Sequence, residues 1–216
     1  MKKLFGKYDR VFWDWNGTLL DDAKMCLELI NQSLSKRSLP NVSFNEYLEI
    51  FEFPVKNYYI KAGFDFNKES FEEVGSEFIN AYRSMMFECQ LHADVQDTLN
   101  MFRSNGIHQY VLSALEEKSL KKILKHYSLD EYFECVKGLT HHYADGKVEL
   151  GKQLISEIGE KPGKTVMIGD TTHDFETANS IGIDCILIAA GHNSKKRLEK
   201  CGVQVFDSIS TMIKSI

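Results

Sequence analysis

The first apolar run, Val11-Phe12-Trp13, stops at Asp14 and turns at Asn16-Gly17 before a second apolar pair, Leu19-Leu20. A short β-rich run ended by glycine predicts a buried strand and a tight turn. From Asp21 to about Leu39 the period changes. Ala23, Cys26, Leu27, Ile30 and Leu34 share one face of a helix, which Pro40-Asn41 stops. Ser43 and Glu46 fit a capping box that opens a second helix. FEFP at 51–54 breaks that helix, residues 57–65 predict a short third one ending at Gly63, and Phe71, Val74, Phe78, Ala81 and Met85 place a fourth within 68–88. Residues 22–88 therefore read as an all-helical unit inserted after the first strand.

Beyond it the pattern alternates. Helices are predicted over 94–105, 116–127, 148–158, 172–181, 194–201 and 207–215. Strands are predicted over 109–113, within 132–139, and over 164–169, 185–188 and 203–206. In the helix at 116–127, Leu120, Ile123 and Leu124 point inward, and Lys118, Lys121, Lys122 and Lys125 form a solvated face. Strand alternating with helix indicates an α/β domain, a parallel sheet covered on both faces. A chain of 216 residues fits one large domain or one domain carrying an insertion.

Composition narrows the class. Hydrophobic residues at 43% and charged residues at 26% are those of a soluble globular protein. A net charge of -5 argues against general binding to nucleic acid or to an anionic membrane. The apolar runs are shorter than a membrane span, and MKKLFGKYDR lacks the apolar stretch of a signal peptide. Cys26, Cys89, Cys135, Cys185 and Cys201 are odd in number and contain no CxxC pair. They read as reduced thiols of a cytoplasmic protein.

The candidate chemistry lies at predicted strand ends. Asp14 stands at the carboxyl end of the first strand, where open α/β sheets bind ligands. Gly17 lets the backbone approach a ligand, and the Thr18 hydroxyl can orient a carboxylate. In IGDTTHDFETA (168–178), Asp170 follows a buried strand, and Asp174 falls in the first turn of the next helix. The two can face one point above the sheet, in a place that suits the helix dipole. An ordinary helix cap accounts well for one of these carboxylates and less well for both. Together with Asp14 they form a candidate Mg²⁺ site, since Mg²⁺ favours a few carboxylates, water and substrate phosphate. Ser113 ends a strand, where a hydroxyl and nearby N–H groups can hold phosphate oxygens, although a serine there also simply makes a turn. Lys147 follows Asp145-Gly146 at a helix start, where a cation is unfavourable. Unless it points to solvent, it implies a bound anion or a neighbouring carboxylate.

DWNGT at 14–18, Ser113, Lys147 and GDTTHD at 169–174 resemble, in order and spacing, the four motifs of the haloacid dehalogenase superfamily. The resemblance covers nearly the whole chain, with phosphoglycolate-phosphatase-like members as the nearest subgroup. It implies a Rossmann-like three-layer core, residues 1–21 and 89–216, and a helical cap, residues 22–88. It also implies phosphoryl transfer through an aspartyl-phosphate on Asp14. Mg²⁺ would be held by Asp14, Asp170 and the backbone carbonyl of Asn16, with Asp174 supporting or coordinating. Thr18, Ser113 and Lys147 would stabilise the transferring phosphate oxygens. The implied partner is a small phosphorylated metabolite, with no nucleic acid or membrane, and the implied assembly is a monomer or homodimer.

One residue departs from the family pattern. Phosphatases of this family usually carry an acid/base Asp two residues after the nucleophile, and here that residue is Asn16. An amide is neither a general acid nor a general base at neutral pH, and such help is worth about 10²–10⁴-fold in rate. The departure predicts slow turnover of alkyl phosphates and a preference for activated ones. It also raises the alternative of a catalytically weakened binding or regulatory protein. Dehalogenation is disfavoured by the Asp170/Asp174 pair, and carbon–phosphorus cleavage would require Lys56 or Lys61 as a Schiff-base lysine. His141 and His142 precede Lys147 and read as exposed. His173, without Cys or a second spaced His, makes no zinc motif. Trp13 and Trp15 share a face opposite Asp14 and read as core. Phe51, Phe53, Tyr58 and Tyr59 serve either the cap core or a substrate pocket.

Overall fold

A computed structural model describes residues 6–140, 146–159 and 163–215. The chain starts with β1 (Arg10–Trp13) and the two-residue β2 (Leu20–Asp21), then runs through α1 (Ala23–Lys36), α2 (Phe44–Ile50), α3 (Val55–Ala62) and α4 (Phe71–Met85). It returns through β3 (Gln90–Leu91), which pairs antiparallel with β2. Both connections of the helical unit therefore run through one small ribbon. Two-residue strands carry no readable period, so the ribbon is not legible in the sequence pattern.

The remaining elements are α5 (Val95–Ser104), β4 (His108–Glu116), α6 (Glu117–His126), β5 (Cys135–Leu139), α7 (Lys147–Ile158), β6 (Thr165–Gly169), α8 (Thr172–Ser180), β7 (Asp184–Ile188), α9 (Lys195–Glu199), β8 (Gln204–Phe206) and α10 (Ile209–Lys214). The main sheet is parallel with strand order β5-β4-β1-β6-β7-β8. Successive strands leave β1 toward β4 on one side and β6 on the other. The crevice above the carboxyl ends of these three strands is the switch point where such sheets bind ligands.

Alternation along β1 sends Val11 and Trp13 into the larger apolar cluster and Phe12 into the smaller one on the opposite face. Trp13 and Trp15 are both fully buried on the same side, as core residues. The expected lysine face of α6 is solvent-exposed. Ser43 and Glu46 form the expected capping box, and Ser70 with Glu73 forms a second one at the start of α4.

β4 differs from expectation. It does not end at Ser113 but continues to Glu116, with a register shift against β5 between Leu112 and Glu116. An irregular stretch of this kind re-aims side chains within a strand, and periodicity alone does not reveal it. The five cysteines are all free. No helix among the described residues is long and apolar enough to cross a membrane.

Candidate active site

Asp14 follows β1 at the switch point and is 6% exposed. Lys147, the first residue of α7, is 3% exposed, and its Nζ donates to Asp14 Oδ1 at 2.5 Å and to Asp174 Oδ1 at 2.6 Å. This resolves the unfavourable cation at the helix start, since two carboxylates neutralise it. Burial opposes the charge on Lys147, but Asp14 and Asp174 outweigh that and raise its pKa. Removing one partner of a buried ion pair leaves an uncompensated charge and typically costs about 3–5 kcal/mol.

Asp174 has a second task. Its Oδ2 accepts from the backbone N–H of Asp170 (3.1 Å) and of Thr171 (2.9 Å) and from the Thr171 hydroxyl (2.7 Å). Thr171 and Asp174 thus form the capping box of α8, while the other oxygen of Asp174 faces Lys147. Cap and charged partner are one residue. Burial works against its ionisation, but Lys147 and the Thr171 hydrogen bond hold its pKa below the ordinary value.

Asp170 is fully buried. It accepts from the Thr18 hydroxyl (2.7 Å) and from the backbone N–H of His192 (2.7 Å). Two glycines allow this fit. A Cβ on Gly17, whose φ is +72°, would stand 2.3 Å from Asp170 Oδ2, and one on Gly191 would stand 2.1 Å from the same atom. The Thr18 hydroxyl is therefore committed to a carboxylate. The Ser113 Oγ accepts from the backbone N–H of Leu115 (3.1 Å).

Carboxylate oxygens of Asp14, Asp170 and Asp174 lie within 4.8 Å of one another. Burial raises the pKa of Asp14, and Asp174 and Asp170 add to the rise. Burial likewise pushes Asp170 up to about 6. One ammonium, paired with Asp14 and Asp174, thus stands in a cluster of three buried carboxylates, two of which, Asp14 and Asp170, resist ionising. An all-oxygen set with excess negative charge suits a hard divalent cation, so the residues present fit such an ion.

Asn16 belongs to a network that the sequence did not reveal. Its Nδ2 donates to Asp22 Oδ2 (2.7 Å) and to the Tyr82 hydroxyl (2.5 Å), and Tyr82 in turn donates to Asp22 (2.9 Å). Asp22 Oδ1 takes the backbone N–H of Gly17 (2.9 Å) and lies 3.1 Å from His192 Nε2. His192 Nδ1 lies 2.6 Å from the Tyr47 hydroxyl. Burial disfavours the charge on His192, but Asp22 overcomes it and raises the imidazole to about 9. Asp22, also buried, is lowered in turn by His192. A buried ion pair beside Asn16 thus ties α2 and α4 of the helical unit to the core. Asp22 and His192 are 170 positions apart, and only the adjacent acidic pair Asp21-Asp22 stands out in the sequence.

A cavity of about 140 Å³ runs from Asp14 and Lys147 up to the helical unit. Phe51, Phe53, Tyr58 and Tyr59 all line it, and Tyr58 and Tyr59 are buried as well, so they serve pocket and cap core together. His173 faces the cavity with its ring stacked on Phe53 at 4.6 Å. Lys56 and Lys61 are exposed, and Lys61 pairs with Glu52. His141, His142 and Asp145 lie outside the described residues.

A family model for haloacid dehalogenase-like hydrolases matches residues 11–188. The chain is 23% identical over 204 residues to the tyrosine-protein kinase PtkA of Mycobacterium tuberculosis, spanning 94% of this chain and 69% of that protein. It is 19% identical over 211 residues to a phosphoglycolate phosphatase of Synechococcus elongatus, spanning 95% of this chain and 96% of the phosphatase. Among solved structures, a haloacid dehalogenase-like hydrolase family protein from Streptococcus pneumoniae superimposes with a TM-score of 0.83 at 17% identity, over 97% of this chain and 99% of that one. At that identity the structural likeness speaks for the fold alone.

Proposed function

The chain belongs to the haloacid dehalogenase-like hydrolases and is a phosphatase of that family, and on that premise we propose that it hydrolyses a small phosphorylated metabolite through an aspartyl-phosphate on Asp14. The observation that carries this reading is the placement of Asp14. It is a buried carboxylate at the end of the central strand, paired with Lys147, clustered with two more carboxylates and open to a cavity. A tyrosine kinase and a phosphoglycolate phosphatase, the activities named for two relatives, both move a phosphoryl group.

In the proposed reaction an Asp14 oxygen attacks phosphorus, and the bond from phosphorus to the ester oxygen breaks. Water then attacks the same phosphorus, releases phosphate and restores the Asp14 carboxylate. Lys147 and Ser113 hold phosphate oxygens, and Thr18 acts through Asp170, whose carboxylate it fixes. Asp14, Asp170 and the main-chain carbonyl of Asn16, supported by Asp174, are the proposed holders of Mg²⁺. When bound, Mg²⁺ supplies charge neutralisation of the phosphate. Such chemistry is mostly positioning and electrostatics.

Asn16 cannot pass a proton to the leaving oxygen, so that oxygen departs as an anion and is protonated by solvent. The enzyme is therefore expected to favour activated phosphates, such as aryl or acyl phosphates. Carbon–phosphorus cleavage loses support, because neither Lys56 nor Lys61 is among the residues that line the cavity. The free cysteines fit a reducing cytoplasm as the site of action. Phosphate release from a panel of phosphorylated metabolites, with and without Mg²⁺, tests the assignment. Release should require the metal and vanish in Asp14→Asn with the circular dichroism unchanged. A folded Asp14→Asn protein that keeps near wild-type activity refutes it.

A further inference from the structure

We propose that the organic part of the substrate is a neutral aromatic ring, so that the enzyme acts on an aromatic phosphate monoester and not on a small carboxylated phosphate. This rests on the phosphatase reading above. The argument starts from the cavity between Asp14 and the helical unit. Its far wall is built by Phe51, Phe53, Tyr59, Phe71, Phe78 and Ile79, all apolar or aromatic. The whole cavity, its phosphate end included, is about 140 Å³, so the apolar end has room for no more than one ring; an engineered apolar cavity of about 150 Å³ takes up benzene.

Charge selects against the alternative. A carboxylated phosphate would bring a second anion into this wall, and an anion buried there needs a cation. Among the described residues that line the cavity, Lys147, His173 and His192 are the cationic types. Each already faces a carboxylate: Lys147 faces Asp14 and Asp174, His192 faces Asp22, and His173 faces Glu176 at 3.5 Å. Once Lys147 has taken the phosphate, no cation among the described lining residues remains for a second acid group.

Gly75 adds an independent observation. It lies inside α4, lines the cavity, and has nothing within 4 Å of where a Cβ would stand. Glycine inside a helix costs about 0.8–1.0 kcal/mol relative to alanine. At this position it keeps open space that a side chain would fill. The Tyr58 hydroxyl and His173 Nε2 are buried polar atoms of cavity-lining residues without a hydrogen-bond partner among the described residues, and a polar substituent on the ring would satisfy one of them.

The test compares two unactivated alkyl phosphates, 2-phenylethyl phosphate and 2-phosphoglycolate, so that leaving-group acidity does not decide the outcome. Binding of the uncharged alcohol 2-phenylethanol is followed by ligand-observed NMR. The same measurements are made on Gly75→Leu, which fills the cavity and favours the helix. In wild type, kcat/KM for phenylethyl phosphate should exceed that for phosphoglycolate by at least tenfold, and the alcohol should bind. In Gly75→Leu the KM for phenylethyl phosphate should rise at least tenfold and alcohol binding should be lost, while the melting temperature does not fall. Phosphoglycolate turned over as efficiently as the aromatic ester, with no binding of the alcohol, overturns the ring assignment and leaves the phosphatase reading intact. Binding of the alcohol that Gly75→Leu abolishes, without phosphate release from any ester, supports the aromatic cavity and refutes the phosphatase reading instead.

Discussion

Replacing Asn16 by Asp restores the acid/base carboxyl that the family pattern leads one to expect, and the structure says what that carboxyl would meet. The Asn16 amide donates to Asp22 Oδ2 at 2.7 Å and to the Tyr82 hydroxyl. A second carboxylate in that position would face the ionised Asp22 with charge centres about 4 Å apart. At an effective dielectric constant near 20 their repulsion is about 4 kcal/mol. One pKa unit corresponds to about 1.4 kcal/mol, so the introduced carboxyl should be raised by up to three units, toward neutrality. His192, on the other oxygen of Asp22, takes back part of that shift. Below this raised value the new group is protonated, keeps the hydrogen bond to Asp22 and can give its proton to a leaving oxygen.

Two outcomes follow from Asn16→Asp. Hydrolysis of alkyl phosphates should rise by up to about 10²–10⁴-fold and that of aryl phosphates by less, because good leaving groups need the proton least. Wild type, with no general base to activate water on the aspartyl-phosphate, should release the leaving group in a burst, and that burst should shrink when Asn16→Asp supplies the base. Stability carries a definite sign. A group whose pKa is raised by folding contributes fully below its unfolded value, and that contribution is lost as pH rises through the folded value. Metal-free Asn16→Asp should thus match wild type below about pH 4 and lose up to about 4 kcal/mol by mildly alkaline pH. Rapid-quench kinetics with phenyl and ethyl phosphate, and urea unfolding at several pH values, measure both. Intact mass should be checked first, because Asn16-Gly17 is prone to deamidation. If wild type hydrolyses both esters equally fast without a burst and the substitution gains nothing, another residue supplies the proton, and His173 is then the first to mutate. A stability difference that does not vary with pH would show that the new carboxyl does not face Asp22.

Asp170→Asn should raise the Mg²⁺ concentration needed for activity. Asp174→Asn should instead lose about 3 kcal/mol or more of stability, because it removes one partner of a buried ion pair while its amide oxygen can still accept the α8 cap bonds. Calorimetric titration with Mg²⁺ and thermal melts separate these effects, and wild-type metal binding in both variants would place the metal elsewhere. Gly191→Ala puts a Cβ 2.1 Å from Asp170 Oδ2 and should weaken Mg²⁺ binding while destabilising the fold by about 1–3 kcal/mol, readable in the same two assays. Beryllofluoride with Mg²⁺, which mimics a phosphoaspartate, should slow amide exchange in residues 20–22 and 89–92 if residues 22–88 rock as a cap over the β2–β3 ribbon. Unchanged exchange there would speak against a moving cap.

What the sequence determined by itself lies within short windows. The change from period 2 to period 3.6 after Asp14, and the alternation beyond residue 94, located the long strands and helices to within a few residues. Asp14, Asp170, Asp174 and Lys147 were singled out because strand ends and helix starts are local features, and the structure gathers their polar atoms in one place. Tertiary structure alone decided which partner each group meets. It turned Lys147 from an unfavourable cation into the partner of two carboxylates, one of them 133 positions away, and committed the Thr18 hydroxyl to Asp170. It also joined Asp22 to His192, carried β4 past Ser113 and closed the helical unit's two connections into a ribbon. The physical reason is range. Periodicity and capping act over a few residues and leave a mark on the local pattern. A buried charge pair or an aromatic-walled cavity joins residues far apart in the chain, and it exists only once the sheet has brought them together.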